Sequence, residues 1–540
     1  MMTFVFRRCF YLPLLISLIA ECAFVDRGAL ADEANSALAP ETLPPAEKVQ
    51  ALGAGWPAGM PLPIESFPDL PEAVLANLDM ETAVRLAEER NPTIRENYQR
   101  LIASQNQLGS AYATWWPTVD ANLNFGWYGE NAFYNYAGAT SGIDQSIYGG
   151  GDSAAVLPSY LFDRSFTSSY WQGVSTLDIN WKLYDPERGP QIWKNKYIVR
   201  ESSSDYIISR RDNALRTQEA FVRLQASIAG IKTSQQLVDN DQFLLSLAQA
   251  RKRLGVASDL DIAKQLTVLR SDQVNLVNAK QDALIDEAKL VELLNAPLQK
   301  GVSPSTPLKP LGAWSASLDA TVQSALGYRK VIEKQLAIVQ QNESQVQIDL
   351  AIYRPTIELV NSLYWTKGLG YNNLGPPWII ESARSDLWNA QSLLQVTFTG
   401  FDGGRARMEA EASKSRARAA AAKVNQTINS VIAEVREYFS RAQQGREAVL
   451  AASKRVRAAS DSLKLQSMRF RAGYGTITDV VQSQQDLTQA VGSYITQLSD
   501  YNLALVNLSR SSGLSFAADP DLMQQVGNPL SQVNISSVFR

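Results

Sequence analysis

Two kinds of hydrophobic spacing take turns along this chain. In long stretches apolar residues return every seventh position: Ile428, Val435, Ala442, Val449, Val456, Leu463 and Phe470, then Val480, Leu487, Tyr494, Tyr501 and Leu508. Ile477, Val491, Leu498 and Leu505 accompany the second series, and Ile262, Leu269, Leu276, Ala283 and Leu290 form a third. No proline occurs between Gln191 and Ala296 or between Trp378 and Asp519. Sustained sevens without proline predict long helices packed as coiled coils. A helix from Arg405 to Phe470 would be about 100 Å long at ~1.5 Å per residue, far beyond a globular core.

Elsewhere the period falls to two. Ala121, Leu123, Phe125 and Trp127 alternate with Asp120, Asn122, Asn124 and Gly126, and Leu177, Ile179, Trp181 and Leu183 with Asp178, Asn180, Lys182 and Tyr184. Further on, Ile357, Leu359, Leu363 and Trp365 alternate with Glu358, Val360, Ser362 and Tyr364, and Leu394, Val396 and Phe398 with Gln395 and Thr397. These predict four strands, about 119–128, 175–184, 356–365 and 388–399, each with one apolar and one mostly polar face. About ten tilted residues suit a strand crossing a bilayer. Eight of the eleven tryptophans fall in 115–185 or 354–401, where interfacial aromatic girdles would lie. The Gly/Tyr/Ser/Asn-rich segments 129–170 and 367–386 read as extracellular loops. Four strands cannot close a barrel, which needs about eight, and open edges are not tolerated in lipid. Several chains must therefore share one. A coiled-coil stalk accounts for the sevens alone, and a soluble sandwich for the alternation alone.

The pattern is duplicated. Arg251-x-Arg253-Leu254-Gly255-x-x-Ser258-x-x-Asp261 returns about 220 residues later as Arg469-x-Arg471-Ala472-Gly473-x-x-Thr476-x-x-Asp479. Trp116-Pro117-Thr118 matches Arg354-Pro355-Thr356, and Leu183-Tyr184-Asp185 with Arg188 matches Thr399-Gly400-Phe401-Asp402 with Arg405. These landmarks, in one order in both halves, predict two repeats, 78–297 and 298–515. Each holds helices, two strands and a helical hairpin, turning near 255 and near 473. A C-terminal tail, 516–540, reads as irregular and polar.

The N-terminus reads as a signal peptide, 1–31: Arg7 and Arg8, an apolar run from Phe10 to Ala20, and Ala29-Leu30-Ala31 before Asp32. A lipoprotein signal ending at Cys22 is the alternative, with Glu21 where a small residue would be expected. Residues 32–77 carry eight prolines and predict an extended lead-in that holds no helix. No later stretch reaches roughly 18 apolar residues, so any membrane entry must be by strands.

Composition narrows the chemistry. Fifty-one Lys+Arg against 54 Asp+Glu gives −3, which offers no polyanion-binding surface and no expectation of nucleic acid. The chain has no histidine, and its two cysteines, Cys9 and Cys22, lie in the predicted signal. His-based acid/base or triad catalysis, His-ligated metals and disulfides are therefore not expected. Walker-type GxxxxGK[ST], HExxH, GxSxG and CxxC patterns are missing too. We expect no enzyme and no cofactor.

Strand–loop–strand, an Asp/Gly-rich passage and a hairpin turning at Arg-x-Arg-x-Gly, all duplicated, resembles the TolC-like outer-membrane efflux proteins. Phe401-Asp402-Gly403-Gly404-Arg405 and the stretch from Arg471 to Val480 carry the resemblance most specifically. It covers about residues 78–515. It implies a mixed α and β fold. A homotrimer would share a twelve-stranded barrel in outer-membrane lipid, above a long periplasmic α-helical barrel. The implied partners are a periplasmic adaptor (membrane fusion protein) and an inner-membrane pump or ABC transporter. The implied function is an exit duct for efflux or type I secretion, with a structural periplasm-spanning coiled coil or a stand-alone porin as alternatives.

The resemblance also implies a site. Asp261 and Asp479 would line an acidic periplasmic entrance ring. Arg253, Leu254, Gly255, Arg471, Ala472 and Gly473 would be adaptor-docking tips, and Asp185, Asp402, Gly403 and Gly404 strand-to-helix passages. Ser258-x-x-Asp261 and Thr476-x-x-Asp479 are equally helix capping boxes, the glycines helix-ending turns, and the arginines partners of a helix dipole. The chain departs from the family at Gln482, where a second ring acid can stand, and at Gly475, where a basic latch residue can stand.

Overall fold

A computed structural model describes residues 71–135, 163–255, 257–296, 301–373 and 379–533. The predicted signal, most of the lead-in, the outer parts of both predicted loops and the last residues of the tail lie outside them.

The two repeats fold alike, element by element. The first comprises α2 (Met80–Arg90), α3 (Pro92–Ala113), β1 (Thr118–Asn135), β2 (Asp163–Tyr184), α4 (Arg188–Arg253) and α5 (Asp259–Leu293), after a single turn α1 (Glu72–Leu75). The second comprises α6 (Leu318–Tyr328), α7 (Lys330–Ala351), β3 (Thr356–Asn373), β4 (Ile379–Thr397), α8 (Arg405–Arg471) and α9 (Ile477–Ser512). Matching helices agree closely in length: 11 and 11 residues for α2 and α6, 22 and 22 for α3 and α7, 66 and 67 for α4 and α8, and 35 and 36 for α5 and α9.

The strands form one antiparallel sheet in the order β1-β2-β3-β4, so β2 and β3 join the repeats. Its register sets the mostly apolar positions of neighbouring strands on one side. Leu123 stands opposite Ser175, Phe125 opposite Gly173 and Trp127 opposite Trp171; Leu177 meets Leu363 and Trp365 meets Trp388. The alternate positions pair Asp120 with Asp178 and Asp178 with Ser362. Apolar side chains thus share one face, where Leu123 is 82% and Phe125 77% exposed. Such a face in water would be a large liability. The strands run to 18, 22, 18 and 19 residues, longer than the alternation marks, because the ladders continue into the Gly/Ser/Asn-rich segments. β4 begins at Ile379, well before residue 388, and ends at Thr397, so Phe398 lies past it.

The heptad residues are the core. Val435, Ala442, Val449, Val456, Leu463 and Phe470 of α8 bury against Val480, Leu487, Tyr494, Leu498 and Leu505 of α9. Leu237, Leu244 and Ala248 of α4 join that cluster, and Val238 packs with Leu269 and Leu276 of α5. Pro190 sits in the first turn of α4, where its missing N–H costs nothing.

Two expectations are corrected at the ends. The lead-in was expected to hold no helix, yet α1 forms one turn directly after Pro71, and Leu75 and Leu78 bury beside Phe221 and Leu290. The tail is not simply irregular and polar. Asp519 caps a short helix α10 (Pro520–Val526) through the Leu522 N–H at 2.9 Å, and Leu522, Val526 and Val533 enter the main core. An Asp-Pro start with apolar residues four apart was the available signal. Among the described residues no helix is long and apolar enough to cross a membrane.

Candidate functional site

Each long helix turns back at a glycine in left-handed conformation, Gly255 at φ 75° and Gly473 at φ 89°. A side chain there would strain the turn, which fixes where the hairpins reverse. Leu254 and Tyr474 stand 78% and 84% exposed at these turns, and Arg253, Ala472 and Arg471 are exposed with them. Gly475 is close-packed: a Cβ there would lie 3.0 Å from the Phe470 nitrogen.

Both returning helices start with a complete capping box. The Ser258 N–H and hydroxyl donate to Asp261 Oδ2 at 2.8 and 2.9 Å, and the Asp261 N–H donates to Ser258 Oγ at 3.2 Å. Thr476 repeats the arrangement with Asp479, at 3.2, 2.8 and 3.2 Å. The Ser258 N–H, aided by its hydroxyl and by the Lys264 and Arg251 charges, holds the Asp261 carboxyl below the usual carboxylate range. The Thr476 hydroxyl and N–H do the same for Asp479, with help from Arg469. Both therefore stay ionised at neutral pH. Gln482 donates to Asp486 at 3.1 Å, so an acid does stand one turn beyond the departure noted in the sequence.

The two tips are also tied to each other. The Arg251 guanidinium lies 4.3 Å from the centre of the Phe470 ring and donates to the Phe470 carbonyl, while Lys264 Nζ donates to Thr478 Oγ1 at 3.1 Å. Lys252 pairs with Asp259 across the first turn. Sequence reasoning singled out Arg253 and passed over Arg251, the first arginine of the same repeated motif and the one that makes the cross-hairpin contact.

At the other end the passages differ between repeats. Asp402 accepts from the Gly404 and Ala406 N–H groups at 2.9 and 2.8 Å and from the Tyr353 hydroxyl at 2.8 Å. The Ala406 N–H is the main cause of its lowered pKa. Gly403 and Gly404, at φ 73° and 87°, make the sharp approach that lets one carboxylate cap the helix. Asp185 instead accepts from the Glu187 N–H at 3.0 Å and lies 3.8 Å from Lys182 Nζ. There Arg188 is buried with its guanidinium 4.3 Å from the centre of the Trp115 ring, whereas its counterpart Arg405 is exposed.

The family model described as outer membrane efflux protein matches residues 83–296 and 321–514, more than half of the chain, and the chain belongs to that family. The resemblance carried by the Asp-Gly-Gly passage and the repeated turns is borne out. No curated protein sequence matches it. Among solved structures it is similar to the open state of the Neisseria gonorrhoeae MtrE outer membrane channel at 16% identity, covering 81% of this chain and 89% of that one with a TM-score of 0.62. The outer membrane protein VceC from Vibrio cholerae is similar at 15% identity, over 81% and 97%, with a TM-score of 0.59. So is the Campylobacter jejuni CmeC outer membrane channel, at 14% identity over 89% and 96%, with a TM-score of 0.61. At these identities the likeness is one of fold: strands over long helices, as in TolC-like outer membrane channels.

Proposed function

We propose that this chain is the outer-membrane exit duct of a tripartite efflux or type I secretion system, a passive homotrimeric channel. The observation that carries it is the four-stranded sheet, apolar on one face, with β1 and β4 as its edges. Lipid suits that face, and the edges need neighbours to close. Three copies would make a twelve-stranded barrel in the outer membrane, with α4, α5, α8 and α9 reaching into the periplasm. The exposed tips at Arg253, Leu254 and Gly255 and at Arg471, Ala472 and Gly473 would meet a periplasmic adaptor, and an inner-membrane pump or ABC transporter would supply the energy. Asp261 and Asp479 would place carboxylates at the entrance, attracting cations. Their capping boxes are compatible with this, since an ionised side chain can both cap and carry charge.

Single-channel conductance in planar bilayers tests the proposal, comparing wild type with Asp261→Asn/Asp479→Asn. A small cation-selective conductance that loses selectivity in the double variant is expected. A large conductance untouched by the substitutions would remove the acidic entrance. No conductance from a folded, inserted oligomer would overturn the duct.

A further inference from the structure

At the foot of the sheet the first repeat carries an aromatic and cationic cluster that the second lacks. Trp181, in the apolar series of β2, donates from Nε1 to the Trp115 carbonyl at 3.0 Å. The Arg188 guanidinium lies 4.3 Å from the centre of the Trp115 ring and donates to the Lys182 carbonyl, while its buried Nε has no hydrogen-bond partner. Further along α4, Lys196 Nζ lies 4.5 Å from the centre of the Trp193 ring and 5.8 Å from that of Tyr112. Among the described residues Lys196 makes no hydrogen bond or ion pair, and no carboxylate pairs with Arg188. Trp115, Trp116 and Trp193 are each just over half exposed.

Neither the fold nor a missing neighbour accounts for the cluster. α4 is flanked on both sides within one chain, by α3 through Asn97 and Ser209, and by α7 through Lys194 with Gln345 and Glu201 with Gln341. Trp193 therefore stays exposed with its neighbouring helices in place. The second repeat has matching helices, yet Leu350, Ala410 and Ser413 stand at the places of Tyr112, Trp193 and Lys196. There Ser413 simply donates to Asp349 of α7 at 2.6 Å. The same helices thus pack without the rings or the ammonium.

Position and charge name the occupant. Through Trp181 the cluster continues the apolar face of the sheet, and Lys196 lies about 12 Å beyond Arg188 along α4, at ~1.5 Å per residue. Its ammonium leans back toward the sheet over Trp193, as side chains on a helix tilt toward the N-terminus. Exposed tryptophans suit the boundary between hydrocarbon and headgroups, and cations beside them suit phosphate. We propose that Tyr112, Trp193 and Lys196 form a site for the phosphate headgroup of an anionic phospholipid in the periplasm-facing leaflet, one per chain, with its acyl chains against Trp115 and Trp181. The two rings hold the Lys196 ammonium in place and leave its N–H donors to the headgroup. Arg188 adds unpaired positive charge from its buried position. Free phosphate shares the headgroup chemistry but would leave the tryptophans in water.

The site rests on the proposed barrel, and the test separates the two. The full-length protein in nonionic detergent would be titrated with phosphatidylglycerol, phosphatidylcholine or inorganic phosphate, and retained lipid counted by native mass spectrometry. Phosphatidylglycerol is expected to bind about fivefold more tightly than phosphatidylcholine, the effect of one cation near a headgroup. Lys196→Gln should abolish this preference and Lys196→Arg should keep it. Trp193→Leu should weaken both lipids alike, and Lys423→Gln, well down α8, should change neither. Equal binding of the two lipids by the wild type, or an undiminished preference in Lys196→Gln, would overturn the site. Displacement of phosphatidylglycerol by millimolar phosphate would overturn it in favour of a free anion. Reconstitution into phosphatidylcholine vesicles distinguishes the failures: protein that inserts but shows no preference sinks the lipid site alone, whereas protein that does not insert sinks the barrel with it.

Discussion

Arg251 is the side chain to remove if the tie between the tips matters. Its guanidinium covers the Phe470 ring at 4.3 Å and donates to the Phe470 carbonyl in the last turn of α8. A cation over an aromatic face contributes ~0.5–2 kcal/mol depending on exposure, and a hydrogen bond from a charged donor about 1.5–3. Arg251 is only half-buried, so both belong at the low end, and Arg251→Ala should cost about 2 kcal/mol of hairpin-to-hairpin coupling. That is roughly a thirtyfold shift toward separated tips, at about 1.4 kcal/mol per tenfold. Hydrogen exchange at residues 466–476 should quicken by this factor, and in bilayers the open fraction should rise in step. Arg251→Lys keeps the charge without the flat stacking surface and should fall between. A double-mutant cycle with Phe470→Leu isolates the ring contact, since the hydrogen bond to the backbone carbonyl stays, and a coupling of about 0.5 kcal/mol is expected. Exchange and open fraction both unmoved in Arg251→Ala would refute the tie, whatever the channel conducts.

Other outcomes follow from the same geometry. Leu463→Ala, at a fully buried heptad position of α8, should lower stability by about 2–5 kcal/mol, read from thermal unfolding in detergent. Gly513→Ala should destabilise by more than ~1 kcal/mol in the same assay, because Gly513 holds φ 75° and a Cβ would fall 2.4 Å from the Tyr328 ring. The capping carboxylates of Asp261 and Asp479 have lowered pKa values, so their contribution is present above the usual carboxylate range and lost as pH falls through their own lower pKa. Exchange at both tips should therefore quicken below about pH 4, and Asp261→Asn/Asp479→Asn should remove this effect.

Much of this fold was legible because its two periods are so different. A spacing of seven held from Val435 to Phe470 can only be a buried helical seam, and alternation from Ala121 to Trp127 only a two-faced strand. Strand ends were not legible, since backbone pairing continues from Gly129 to Asn135 where side-chain alternation has stopped. The tips were legible as motifs, but the partners of Arg251 and Lys264 were not. Those contacts join residues more than two hundred positions apart, and no local pattern records which of two neighbouring arginines turns inward. One buried polar residue did leave a trace: Gln484 occupies the one polar place in the series Ile477, Val491, Leu498 and Leu505. A break in a heptad series carries information that its intact members do not.

The near-identical helix lengths of the two repeats have an engineering consequence. Because the seams repeat every seven residues, this architecture works as a graduated ruler. Seven residues added at the same level to α4, α5, α8 and α9 would restore every contact one notch further along and extend the reach by about 10 Å. One residue added to a single helix would turn everything beyond it by about 100° and set apolar positions against solvent. Reach can therefore change only in whole notches, and only in all four helices together.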